Sequence, residues 1–162
     1  MLVAAAAVSW YVAAHRASPV GERVTVYYTK PDGSTEAAWT VSMRPQQPGE
    51  SNAEHLRNAV LYAATQALAG PPGGVAAIRF PPGTHVLSAD VTGSTAVVDI
   101  SKEVSDQRAG VMGEGGEFKA LVWTLTALPG IDRVQVRVQG QTLQTLPGGH
   151  LEIDEPLRRS DW

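Results

Sequence analysis

The chain has 162 residues, 43% of them hydrophobic, a formal net charge of -3 and no cysteine. That length suits one compact domain with a true core and a short appendage, and leaves little room for a second domain. Composition excludes disulfides, thiol nucleophiles, iron–sulfur clusters and thiolate zinc sites. The 13 Lys and Arg residues are scattered and give no footprint for nucleic acid.

Met1 to Ala14 carries no charged side chain and is dominated by Ala and Val, with Trp10 and Tyr11 near its end and Arg16 just beyond. At about 1.5 Å per residue a helix of this length reaches roughly 21 Å, short of the roughly 30 Å hydrocarbon core. No basic stretch precedes it, and Val12-Ala13-Ala14 is a loose match to a small-residue cleavage site. Residues 1–15 are therefore expected to direct the chain to a membrane, as part of a longer anchor or as the apolar centre of a signal sequence. The alternative is an alanine-rich helix docked on the domain. Residues 16–22 would be a tether, 23–159 the domain and 160–162 a tail.

Val24, Val26 and Tyr28 alternate with Thr25 and Tyr27, the cluster Pro31-Asp32-Gly33-Ser34 turns the chain, and Trp39, Val41 and Met43 alternate with Thr40 and Ser42. This predicts an opening hairpin. Ser51-Asn52-Ala53-Glu54 has the form of a capping box, and Leu56, Val60, Ala63, Ala64, Ala67 and Leu68 make one helical stripe that Gly70-Pro71-Pro72 ends. After Phe80-Pro81-Pro82-Gly83, a second hairpin is expected, with Leu87, Ala89 and Val91 on one side of the first strand and Ala96, Val98 and Ile100 on one side of the second. Ser101 to Gly116 is polar and glycine-rich and reads as a loop leading to a helix that begins near Glu117. Phe118, Leu121, Val122, Leu125 and Leu128 recur at helical spacing up to Pro129-Gly130, and then Val134, Val136 and Val138 alternate as in a half-buried strand. Leu151 and Ile153 suggest a short final strand. The order ββαββαββ points to an α+β fold with two helices packed on one face of a largely antiparallel sheet.

The residues that could carry chemistry are few. His15, His55, His85 and His150 lie far apart with no ligand spacing, which predicts surface or capping histidines and no metal site. Neither a Gly-x-Ser-x-Gly elbow nor a P-loop occurs, since Gly113, Gly115 and Gly116 are not followed by Lys and Ser or Thr. A glycine loop opening a helix can cradle an anion, but Glu114 and Glu117 beside it would repel phosphate while favouring the helix start. Two carboxylates suffice for a glycosidase, and Asp99, Glu103, Asp106, Glu114 and Glu117, or Glu152, Asp154 and Glu155, could supply such a pair. Trp39, Trp123 and Trp162 could stack on a sugar, although Trp39 and Trp123 sit within regular elements and suit a core or a partner surface.

Five pieces, in order, resemble the GerMN domain family: Phe80-Pro81-Pro82-Gly83-Thr84, Val97 to Ser101, Leu121 to Thr126 with Leu128 to Ile131, Val134-Gln135-Val136 with Gly140, and Pro156-Leu157-Arg158. The resemblance implies a non-enzymatic domain outside the cytoplasmic membrane, similar to the ring-building modules of secretion-type assemblies, with a role in sporulation or germination. It implies no catalytic set, no cofactor, and partners that are proteins or further copies of the chain in the envelope. Lipoprotein signals common in such proteins require a cysteine, which leaves the N-terminal apolar segment as the expected anchor. The expectation is an extracytoplasmic interaction and assembly domain that binds no nucleic acid. The alternatives are a cell-wall glycan hydrolase using carboxylates between Asp99 and Glu117, or an envelope sensor with a deep apolar pocket for a small ligand.

Overall fold

The computed structural model describes residues 23–106, 110–147 and 149–162, so the apolar segment and tether expected over residues 1–22 lie outside the described residues. Five strands and two α-helices follow in the order β1 (Arg23–Thr29), β2 (Thr35–Ser42), α1 (Asn52–Ala69), β3 (Val86–Thr92), β4 (Thr95–Ile100), α2 (Gly110–Leu125) and β5 (Arg133–Val138). The expected α+β class with two helices is what forms. The strands fall into two ladders, an antiparallel β1–β2 hairpin and a three-stranded sheet ordered β3–β4–β5, antiparallel between β3 and β4 and parallel between β4 and β5. The parallel pair follows from the connection itself, because α2 carries the chain back before β5 begins. Helix α1 packs on β3 and α2 on β1, and the two helices touch.

Strand alternation survives only where the register is unbroken. In β4 and β5, Ala96, Val98 and Ile100 and then Val134, Val136 and Val138 all face the core. In β3 a bulge between Val86 and Ser88 leaves Leu87 without a partner, so Val86, Ala89 and Val91 pack inward while Leu87 is 44% exposed. The expected pairing of Leu87 with Ala89 and Val91 on one side is thereby corrected. The Asp90 carboxylate accepts the Val91 N–H at 2.8 Å on the same strand. A second bulge lies opposite Val26 and Tyr27, where Ala38 of β2 is left without a partner; β1 buries Val24, Val26 and Thr29. An extra residue changes the facing of all that follow, and hydropathy alone does not announce one.

Helix α1 starts as its sequence dictates. Ser51 Oγ accepts the Glu54 N–H at 3.2 Å, Glu54 Oε2 accepts the Ser51 N–H at 2.8 Å, and Gly70, at φ 73°, closes the other end. Helix α2 begins at Gly110, so residues expected to be loop up to Gly116 are helical. Each glycine costs about 1 kcal/mol relative to alanine in a helix interior, a cost that tertiary contact must offset. Gly116 shows how: a Cβ placed there would stand 3.2 Å from Ile78 Cγ2 and closer still to Ile78 Cδ1, so the missing side chain admits the isoleucine against the helix. The last turns of α2 run to Leu128 through the Thr126 N–H to Val122 O and Leu128 N–H to Leu125 O bonds, and Gly130 at φ 83° turns the chain towards β5.

The expected strand at Leu151 and Ile153 does not form. Pro147, Gly149 and Pro156 break that stretch, and pairing with β5 is reduced to one bridge in which Val134 and Leu157 exchange both hydrogen bonds. Ile153 is nevertheless fully buried, and Trp162 packs against the core beyond a 3-10 turn at Arg159–Asp161.

Candidate functional site

Of the carboxylates that could serve a glycosidase, Asp99, Glu103 and Glu114 carry structural tasks. Asp99 Oδ1 accepts the Gly140 N–H at 2.8 Å, in a tight turn where Gln139 and Gly140 both have positive φ. Glu103 lies in the 3-10 turn Lys102–Ser105, and a hydrogen bond from Ser101 pulls its carboxyl below the usual range. Ser101 also ties this corner together, accepting the His85 N–H at 3.1 Å. Glu114 is buried on α2 and accepts the His150 N–H at 2.9 Å, and Glu117 is buried one turn later. Asp106, Glu152, Asp154 and Glu155 are exposed. Among the described residues, no group of three His, Cys, Asp or Glu side chains could hold a metal ion.

Trp39 and Trp123 are taken up in the packing of the fold. Trp39 is half-buried in β2 against the core. Trp123 meets Tyr27 edge-on, with ring centroids 5.8 Å apart, and the Arg159 guanidinium lies 4.8 Å from the Trp123 centroid and 5.4 Å from that of Tyr27. Arg159 also donates from Nε to Thr126 Oγ1 and from Nη2 to the Trp123 carbonyl, both at 2.7 Å. This clasp fixes the C-terminal turn onto α2. Thr124 completes it: its hydroxyl donates to Ala120 O at 2.8 Å and accepts the Tyr27 N–H at 3.0 Å. A back-bond from Thr124 follows from its helical position. Its reach to Tyr27, 97 residues away in sequence, does not.

The other end of β1 is open. A groove of about 460 Å3 lies where β1, the start of α1 and the turn after α2 meet, lined by Arg23, Val24, Gln46, Asn52, His55, Leu56, Ala59, Leu128 and Pro129. His55, expected as a surface or capping residue, is buried, because one face of α1 places it over the loop that leads into the helix. Its Nδ1 lies 3.3 Å from Glu50 Oε2. Glu50 is itself nearly buried and gathers two bonds from Arg44, at 3.1 and 2.9 Å, one from the Gln47 N–H at 2.9 Å and one from Asn58 at 2.7 Å. The Gln47 N–H, helped by the Arg44 guanidinium and the Asn58 amide, holds the Glu50 carboxyl at about 2. Nothing in the spacing of these residues marks them as a cluster, since the long loop before α1 creates it.

A family model described as "Germane: Sporulation and spore germination" matches residues 25–144, most of the domain. The chain belongs to this family. Spore germination protein GerM of Bacillus subtilis is 32% identical over 83 residues, which cover 47% of this chain and 22% of GerM, so the chain spans about a fifth of that curated relative. The solved tandem GerMN domains of the sporulation protein GerM superpose with a TM-score of 0.61 at 25% identity, over 87% of this chain and 47% of that one. The first GerMN domain alone gives the same score and identity and is covered to 99%. A putative lipoprotein from Clostridium perfringens shares the fold, with a TM-score of 0.59 at 21% identity and coverage of 87% and 89%. The chain thus carries a GerMN-like domain. No helix among the described residues is long and apolar enough to cross a membrane.

Proposed function

We propose that this GerMN-like domain is a non-enzymatic interaction module that works outside the cytoplasmic membrane, binding protein partners or further copies of itself in an envelope assembly used in sporulation or germination. The observation that carries this reading is the family match over residues 25–144, a family described by sporulation and spore germination. The carboxylate arrangement supports it, since Asp99, Glu103 and Glu114 are each held by backbone or hydroxyl donors. The uncharged stretch from Met1 to Ala14 supports a membrane tie at the N-terminus, either retained or cleaved.

Two measurements test this reading. A reporter enzyme active only outside the cytoplasm, fused after Trp162, should be active in cells. Crosslinking in intact cells followed by capture from membranes, set beside the mass of the purified chain in solution, should return stoichiometric companions or a defined oligomer. A silent reporter, or a lone monomer without companions, would overturn it.

A further inference from the structure

We propose that the groove at the Arg23 end of β1 receives an extended segment of a partner protein that presents a bulky apolar side chain beside a carboxylate. The inference rests on the interaction-module reading and names the site and the chemistry of the partner. Four features of the groove converge on that occupant.

Val24, Leu56, Ala59, Leu128 and Pro129 give the groove an apolar floor, and about 460 Å3 is within the range that admits a large side chain together with adjoining backbone. Arg23 stands at the rim, and among the described residues no carboxylate lines the groove. Among the described residues Arg23 has no ion pair, while the nearest acid, Glu50, already accepts bonds from Arg44, Gln47 and Asn58 and sits beside His55. The exposed Arg23 guanidinium at the edge of an apolar floor can take a carboxylate by two parallel bonds. Gln46 Nε2 donates to Glu50 O at 2.8 Å and to Asn52 Oδ1 at 3.0 Å, which leaves Gln46 Oε1 and Asn52 Nδ2 with no partner among the described residues. One acceptor and one donor side by side complement the N–H and C=O of a peptide unit. A fatty acid would match the floor and Arg23 but leave this amide pair unused, so the observations favour a polypeptide.

The test is an amide chemical-shift titration of the full chain with three acetylated, amidated probes. These are Gly-Gly-Leu-Glu-Gly-Gly and its analogues carrying Ser for Leu or Lys for Glu, with hexanoate as a fourth ligand. The Leu-Glu peptide should shift the amides of Val24, Leu56, Ala59 and Leu128, with affinity about three- to tenfold above either analogue and above hexanoate. Arg23→Glu, at an exposed position, should keep the melting temperature and reverse the Glu-over-Lys preference. Equal response to all three peptides, shifts confined to other surfaces, or hexanoate binding as tightly as the Leu-Glu peptide would each overturn the proposal. So would nuclear Overhauser contacts between the groove and Met1–Ala14 in the free chain, which would make its own N-terminal segment the occupant. If crosslinked companions are recovered while the titration fails, the module reading stands and the groove is not its docking site.

Discussion

At the Tyr27 end of β1, Thr124 takes the Tyr27 backbone donor and Arg159 lies over both the Tyr27 and the Trp123 rings. At the Arg23 end the same strand borders an open groove whose polar rim has a cation, an acceptor and a donor without partners among the described residues. Helix α2 reaches both regions, through Trp123 and Thr124 at one and through the turn at Leu128 and Pro129 at the other. Side chains at the closed end are bound to residues far away in sequence and so help hold the fold. At the open end the exposed rim residues Arg23, Gln46 and Asn52 can change with little effect on stability, which is the condition for a surface that answers to a partner.

The largest effect should come from removing what both ends share. Phe118, fully buried on α2 and edge-on to Phe80 at 5.7 Å, should cost about 3–5 kcal/mol on replacement by alanine, read as a fall in the urea midpoint. Next, Thr124→Val keeps the shape but leaves the Tyr27 N–H without an acceptor; about 1–3 kcal/mol should be lost. Asn52→Ala at the groove should stay within about 0.5 kcal/mol, and equal losses at the two sites would erase the contrast. Arg159→Ala should cost about 0.5–2 kcal/mol and shift tryptophan emission to the red as water reaches the Trp123 ring, while Arg23→Ala leaves emission unchanged.

Acid should give the smallest and most local effect. The Glu50 carboxyl is lowered from 4.5 to about 2 in the folded chain, so its contribution is fully present above about pH 4.5 and is lost as pH falls towards 2. Between those values the unfolded chain binds more protons, and stability falls with pH. Glu50→Gln should flatten that part of the profile, and an unchanged slope would show that the Arg44–Glu50 cluster does not order the loop entering α1.

Where local chemistry is self-contained, the sequence is enough. The Ser51–Glu54 capping box, the stop at Gly70, the β4 and β5 alternation and the Pro129-Gly130 turn involve residues near one another in the chain. What escapes it is set by distant partners. Gly113, Gly115 and Gly116 have loop composition, and only the Ile78 side chain lying over Gly116 explains why helix persists there. The apolar Leu151 and Ile153 suggest a strand, but burial of Ile153 together with the single Leu157–Val134 bridge satisfies the same hydropathy. Of the groove, Leu56 and Leu128 are legible as apolar helix positions. Their meeting with Arg23 and Gln46 is not, because it depends on how the β1–β2 ladder sits against the two helices.

Strand β3 forms one margin of the three-stranded sheet, where backbone groups could template stacking with another molecule. The Leu87 bulge kinks that margin, and the Asp90 carboxylate occupies the Val91 donor an arriving strand would seek. Many copies can thus stand close together without fusing into fibrils, leaving association to surfaces shaped by side chains.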